Sequence, residues 1–305
     1  MTFKKLLAAG SAIAFMLQGC ATVPTGDTAG TAPAAVSASM GPALWKVSDE
    51  DTTVYLFGTV HALPQNVQWY RGAIETALSS SDALVTEIPV SAMQDPASQQ
   101  VVMAKAMLPE GQSLRDLMSD ADRTGYEGAL TSLSLPPAAF DRFEPWFAAI
   151  TLSVLPLLKN GWTPESGVEH VIDQRAGPGK TRLALETVDQ QMSLFDTMPQ
   201  TAQLKYLNAV ARDIDKVVPM MDEMVAEWAE GDADDLADLM NESMDDPAIA
   251  KLLLHDRNAN WAEWIDDRMD QPGTVFIAVG AGHLAGTKSV QDYLTARGLS
   301  ATRVQ

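Results

Sequence analysis

The chain has 305 residues, 46% of them hydrophobic and 20% charged, and a formal net charge of −19. That length supports one large domain or two, with a sizeable buried core. The acidity, with no basic patch anywhere along the chain, excludes a phosphate-binding surface and therefore a nucleic-acid partner.

Met1-Thr2-Phe3-Lys4-Lys5 is a short basic start, and an apolar run follows from Leu6 to Leu17. The run is too short to span a bilayer, which takes roughly 20 residues, and has the proportions of a signal-peptide core. It ends in Leu17-Gln18-Gly19-Cys20, and Cys20 is the single cysteine of the chain. A lone thiol in an exported protein has no partner to pair with. The stretch resembles a bacterial lipobox, in which Cys20 is lipidated and becomes the first mature residue. Residues 1–19 then form a lipoprotein signal peptide, and residues 20–40, mostly Ala, Thr, Gly, Pro, Ser and Val, form a flexible tether. Ala21 behind the cysteine implies, by the same resemblance, a bacterial outer-membrane lipoprotein held to the lipid bilayer through Cys20. Its domain, residues 41–305, faces the periplasm.

Gly41-Pro42 closes the tether, and Leu44–Val47 reads as a strand forming a hairpin with Thr53–Phe57 across the polar turn Ser48–Asp51. A helix is expected over Val67–Ser79, with Trp69, Ile74 and Leu78 facing inward. Ala83–Thr86 reads as the next strand, and Pro89 stops it. From Met93 to Gly179 the pattern is mainly helical, with Met103, Met107, Leu114 and Leu117 at helical spacing and a break at Pro136-Pro137. Phe143, Trp146, Phe147, Ile150, Leu152 and Leu155 form an apolar stripe suited to a core. A strand over Thr181–Leu185 is followed by a long helical stretch, Asp189–Asp270. Within it Gly231 ends one helix and Asp232 caps the next. Asp232, Asp234, Asp235 and Asp238 lack the glycine and terminal glutamate of a calcium loop and read as a solvated helix face. Thr274–Val279 is a further strand, then a helix covers Ser289–Arg297, and Ala301–Val304 is an edge strand. The fold expected is α/β: a small mixed β-sheet with the site at its strand ends, covered by a large all-helical insertion.

Four of these strands end in chemistry-bearing residues. Thr53–Phe57 runs into Gly58-Thr59-Val60-His61, and Thr274–Val279 into Gly280-Ala281-Gly282-His283. The other two end at Glu87 and Glu186. In open α/β sheets ligand sites gather beyond the carboxyl ends of the strands. Gly58, Gly280 and Gly282 let the backbone turn and approach a ligand closely. Imidazole and carboxylate together suit a divalent first-row metal with one position open to water, and a carboxylate outside the ligand set suits a general base. The same residues also suit hydrogen bonding at a sheet rim, and spacing alone does not choose between the two. Gly167-Val168-Glu169-His170 repeats the Gly-x-x-His pattern, but its histidine falls at the start of a helix-like stretch and reads as a surface group or one just behind the site, with a place in the site as the lesser alternative. His255 reads as structural or exposed.

A resemblance adds what spacing does not supply. Leu44-Trp45-Lys46-Val47, Tyr55–Pro64, Thr86-Glu87, Leu185-Glu186-Thr187 with Gln190 or Gln191, Trp228-x-x-Gly231-Asp232, Arg257-Asn258-x-x-Trp261 and Val279–Gly286 together resemble the TraB/GumN (TraB/PrgY/GumN) family. They run through essentially the whole domain in order. The family is related to the animal Tiki metalloproteases, and that kinship implies a metal-dependent hydrolase acting on a peptide or protein substrate. It makes His61 and His283 metal ligands, Glu87 a ligand or the catalytic base, and Glu186 a further acidic candidate. Arg257 and Asn258 would orient substrate or a neighbouring carboxylate. The cofactor implied is a divalent metal, Mn, Co or Zn. Kinship with erythromycin-esterase-like hydrolases and haem-binding ChaN-like proteins keeps two other readings open. One is hydrolysis without metal; the other is a non-catalytic peptide- or haem-binding protein.

Overall fold

A computed structural model describes residues 41–241 and 247–305. The expected signal peptide, Cys20 and the expected tether lie outside the described residues. Eight strands are described: β1 (Leu44–Ser48), β2 (Thr52–Thr59), β3 (Leu63–Pro64), β4 (Ala83–Thr86), β5 (Trp162–Thr163), β6 (Thr181–Ala184), β7 (Gly273–Gly280) and β8 (Thr302–Arg303). Six of them form a mixed sheet in the order β6-β4-β7-β2-β1-β8. The four strands β6, β4, β7 and β2 are parallel, while β1 runs antiparallel to β2 and β8 antiparallel to β1. The expected hairpin and the expected C-terminal edge strand are both present.

Of the parallel strands, β4, β7 and β2 are covered on both faces, which is why they read as near-continuous apolar runs, whereas β6 is a mostly exposed edge. Along β7, Val275, Ile277 and Val279 face one core, and Phe276 and Ala278 face the other. Leu84 of β4 and Phe57 of β2 join the second set, while Val54, Leu56 and Val85 join the first. The first core is closed by α11 (Asp256–Met269) and α12 (Val290–Ala296). The second packs against the helical cover: α1 (Ala73–Ser80), α2 (Pro96–Ala106), α3 (Asp120–Ser132), α4 (Pro145–Lys159), α5 (Val168–Ala176), α6 (Val188–Asp196), α7 (Gln200–Arg212), α8 (Val217–Glu230) and α9 (Ala233–Asn241). The short α10 (Pro247–Ala250) leads through a π-helical turn, Lys251–His255, into α11.

Three local expectations are corrected. The helix expected over Val67–Ser79 begins only at Ala73. The preceding residues instead carry Trp69 inward to stack on Phe57, with ring centroids 5.7 Å apart, and Gly72 turns the chain with φ 60°. Tertiary aromatic packing here overrides helical periodicity. Met103 is 40% exposed, Met107 pairs as a bridge with Phe143, and Leu114–Leu117 is a 3-10 turn, so these four do not share one helical face. The helical cover also carries one short strand, β5, which pairs with β3 just past the first histidine.

The helix carrying Trp228 is tied to the end of β2. Trp228 Nε1 donates to the Gly58 carbonyl at 2.8 Å, and α8 ends at Gly231 in the left-handed conformation, φ 78°. A Cβ at Gly231 would also lie 2.5 Å from the Gly41 carbonyl oxygen. Gly231→Ala is therefore expected to destabilise the domain by about 2 kcal/mol, read as a lower urea midpoint at unchanged slope.

Candidate active site

Because the four central strands are parallel, their carboxyl ends open on one side of the sheet. Register places Thr59 of β2 beside Gly280 of β7, and Thr86 of β4 between Ala278 of β7 and Ala184 of β6. The residues that follow are therefore delivered to a single pocket. His61, Glu87, Arg257, Asn258 and His283 are all buried there.

His61 is seated by the start of α5. Val168 N donates to the Val60 carbonyl at 2.9 Å, and Gly167 lies so close that a Cβ would sit 2.0 Å from the His61 carbonyl oxygen. One residue on, Glu169 places Oε1 2.6 Å from His61 Nδ1. Glu169 stands in the first turn of α5, where the helix dipole favours a carboxylate. Burial would lower the imidazole pKa, but the Glu169 charge and hydrogen bond outweigh it and, with Glu87 adding to them, raise it.

Glu87, just past β4, is gripped from three sides. Oε1 accepts from Gly280 N at 2.7 Å, and Oε2 accepts from Arg257 Nη2 at 2.7 Å and Gln191 Nε2 at 2.8 Å. Gly280 must lack a side chain here, since its Cβ would fall 3.1 Å from Glu87 Oε1. Burial opposes ionisation, yet Arg257, His283, His61 and the Gly280 N–H together bring the Glu87 pKa down to about 2. This carboxylate stays charged.

His283 lies in the 3-10 turn Ala281–Leu284, which also contains Gly282. Asn258 Nδ2 donates to the Lys288 carbonyl at 2.8 Å, so Asn258 Oδ1 is the atom that accepts from His283 Nδ1 at 2.6 Å. The proton is thereby fixed on Nδ1. Nε2 accepts from Arg257 Nη1 at 3.0 Å, and burial followed by the Arg257 charge lowers the His283 pKa to about 3.

Arg257 joins these groups. Besides Glu87 and His283 it reaches Glu186, through Nε to Oε1 at 2.7 Å and Nη2 to Oε2 at 3.0 Å. The Trp261 ring lies 4.6 Å beneath the guanidinium, and Trp261 Nε1 donates to Glu186 Oε1 at 3.0 Å. Burial, with the Glu87 charge adding to it, raises the Glu186 pKa although Arg257 pulls it down. The two carboxylates share one arginine, Glu186 through two hydrogen bonds and Glu87 through one.

All six residues taken from the sequence as catalytic or metal candidates meet in this pocket. Of the two glutamines left open, Gln191 enters the site, while Gln190 accepts from Thr187 N to cap α6. Glu169 was missed. It lies inside the third Gly-x-x-His stretch, where the histidine drew attention; His170 merely pairs with Gln174 on the helix surface at 2.7 Å. The signal was available in the glutamate preceding that histidine. His255 falls in the π turn, half-buried. Asp232 caps α9 through the N–H groups of Asp234 and Asp235, on a mostly exposed face.

A model of the TraB/PrgY/gumN family matches residues 43–303. The chain belongs to that family. Neither a curated protein nor a solved structure matches it. For this TraB/PrgY/gumN protein, the expectation of a divalent metal is tested by the donors themselves. Histidines that ligate metals have one ring nitrogen held by an outer acceptor and present the other. His61 and His283 both have Nδ1 held, by Glu169 and Asn258 respectively, but Nε2 of His283 is already taken by Arg257 Nη1. Glu87 Oε1 lies 3.8 Å from His283 Nε2. Glu87, Glu169 and Glu186 also set three carboxylates against the single guanidinium of Arg257, a charge balance suited to a divalent cation. The donor types suit a metal, but among the described residues the ligand atoms of His61, Glu87 and His283 are not gathered within 4.8 Å of one another; only those of Glu227, Asp232 and Asp235 are.

Two outcomes are expected. Glu169→Leu leaves His61 Nδ1 without its acceptor and should cost about 1–3 kcal/mol in urea unfolding, whereas Glu169→Gln, which keeps an acceptor, should cost less. His283 titrates at about 3 in the fold against 6.5 unfolded, so the stability it contributes is present above pH 6.5 and drains as pH falls toward 3. In metal-free protein, His283→Gln should flatten the stability–pH curve across that window, followed by denaturant titration at each pH.

Proposed function

We propose that this protein is a divalent-metal-dependent hydrolase acting on peptide bonds, tethered through a lipid on Cys20 with its domain in the periplasm. The observation that carries the reading is the matched pair of buried imidazoles, each with Nδ1 held by an outer acceptor, in one pocket with an ionised Glu87. A metal held by His61, Glu87 and His283 would supply a Lewis acid for the scissile carbonyl and for water. Glu169 and Asn258 keep the two rings oriented and their Nδ1 protons in place. Glu87 suits a ligand more than a proton carrier, because its pKa lies near 2. Glu186, pushed upward by burial and by the Glu87 charge, is the carboxyl better placed to take or return a proton. Arg257 offers a cation for charge developing on the substrate. Support for the tether is the basic start, the short apolar run and the lone cysteine behind Leu17-Gln18-Gly19. Peptide as substrate rests on the Tiki kinship.

A binding protein is the competing reading, favoured by one observation: Glu87 already accepts three hydrogen bonds and has no need of a further partner. Metal analysis decides between them. The domain, residues 41–305, is expected to retain about one equivalent of Mn, Co or Zn, lost in His61→Ala and in His283→Ala. Its cleavage of a quenched-fluorescent peptide library should stop on chelation. Metal-free wild type that stays inert after reconstitution would overturn the metal-dependent hydrolase and turn the search to bound peptide or haem.

A further inference from the structure

The groups around Arg257 have almost no hydrogen-bonding capacity left. The guanidinium has five N–H donors, and all are spent: two on Glu186 and one each on Glu87, the Leu253 carbonyl and His283. Asn258 uses both ends of its amide, and His283 uses both ring nitrogens. Gln191 does not. Its Nε2 donates to Glu87 Oε2 at 2.8 Å, while its Oε1 is buried with no donor among the described residues. The orientation of this amide is fixed by its neighbour. Glu87 is an ionised carboxylate and can only accept, so the nitrogen of Gln191 must face it and the oxygen is left over. Gln191 is 1% exposed and stands in the first turn of α6, whose start is pinned by the capping box of Thr187 and Gln190. A rigid element therefore holds a buried acceptor that has nothing to accept.

We infer that Gln191 Oε1 is a substrate-recognition atom, which accepts an N–H from the bound peptide beside the Glu87 carboxylate. This rests on the hydrolase reading above and adds what its substrate must present. A buried acceptor with no donor is costly to keep, and native proteins leave few of them. A ligand that brings the donor removes that cost, and one that lacks it does not. Charge selects the same kind of ligand. Glu87, Glu169 and Glu186 outnumber the single guanidinium, so the pocket favours groups that donate over groups that accept. An amide N–H meets this demand, whereas an ester oxygen sets a lone pair against a lone pair. Gln191 therefore separates amides from the matching esters, a discrimination that hydrogen-bonding sites make far better than apolar ones. Its neighbour carries the same side chain to a different end: Gln190 closes the helix cap, and Gln191 turns to Glu87.

The experiment is a scan of single ester-for-amide replacements along one peptide, leaving the cleaved bond intact. From a labelled peptide library, the probe is the member that wild-type domain supplied with Mn²⁺, Co²⁺ or Zn²⁺ cleaves fastest. Where none is cleaved, it is the member bound tightest by fluorescence anisotropy. At one position the replacement should raise KM, or Kd, at least about tenfold in wild type, with kcat within about twofold. In Gln191→Met and Gln191→Leu, which bring no comparable acceptor, the same replacement should change it less than about twofold. Circular dichroism reports whether these variants fold. If neither does, a crystal structure of wild type with the peptide reads the contact directly, as a peptide nitrogen about 3 Å from Oε1. A flat scan, an equal loss in wild type and variants, or an ordered water on Oε1 in the complex overturns the assignment without touching the hydrolase reading. The coupled loss in a peptide that is bound but never cleaved supports the assignment and overturns hydrolysis. A library of which no member is cleaved or bound overturns both.

Discussion

A buried and a half-buried carboxylate, Glu87 and Glu186, sharing one buried arginine set the character of this protein's centre. Removing ions from water is expensive, and the expense is offset only where geometry and hydrogen bonding are close to complete. Arg257 meets that condition with contacts to Glu87, Glu186, His283, the Leu253 carbonyl and the Trp261 ring. Taking the guanidinium away would leave Glu87 and Glu186 facing each other in a dry pocket. That is the reason α11 is drawn against the strand ends, and the reason Trp261, one turn on from Arg257, and Asn258, the residue beside it, are brought to Glu186 and His283.

The same electrostatics separates groups of identical chemical type. Glu87 and Glu186 differ because a backbone N–H, a glutamine and two nearby histidines favour ionisation of the first. His61 and His283 differ because one faces a carboxylate and the other faces the arginine, which moves their pKa values in opposite directions. Pairs of titratable groups pushed apart by environment mark sites of proton handling and ligand exchange. The sheet supplies the precision beneath this. β2 and β7 are central, paired along their full lengths and buried on both faces, so the two histidine-bearing ends are carried by the most constrained backbone in the molecule.

Much of this was legible in the linear chain. Apolar runs such as Thr274–Val279 announce buried strands because both faces must be filled, and a glycine followed by a polar residue marks where each run stops. The four strand ends and their His and Glu residues follow from that pattern. Val67–Arg71 shows the limit: the apolar spacing there is helical, but Trp69 finds more contact against Phe57 and Trp228 than a helix would allow it. Glu169 shows another, since nothing near it in sequence connects it to His61.

By itself the sequence determined the acidic surface, the export-like N-terminus, the α/β class and the identity of the residues at the strand ends, because composition and short-range periodicity reflect local burial. Only the tertiary structure decided which partner each of those residues takes. Strand order places β7 between β2 and β4, the start of α5 delivers Glu169 to His61, and α11 inserts Arg257 between Glu87 and His283. Those choices depend on contacts between residues far apart in the chain, where charge and lone pairs are matched in space and leave no periodic trace along the sequence.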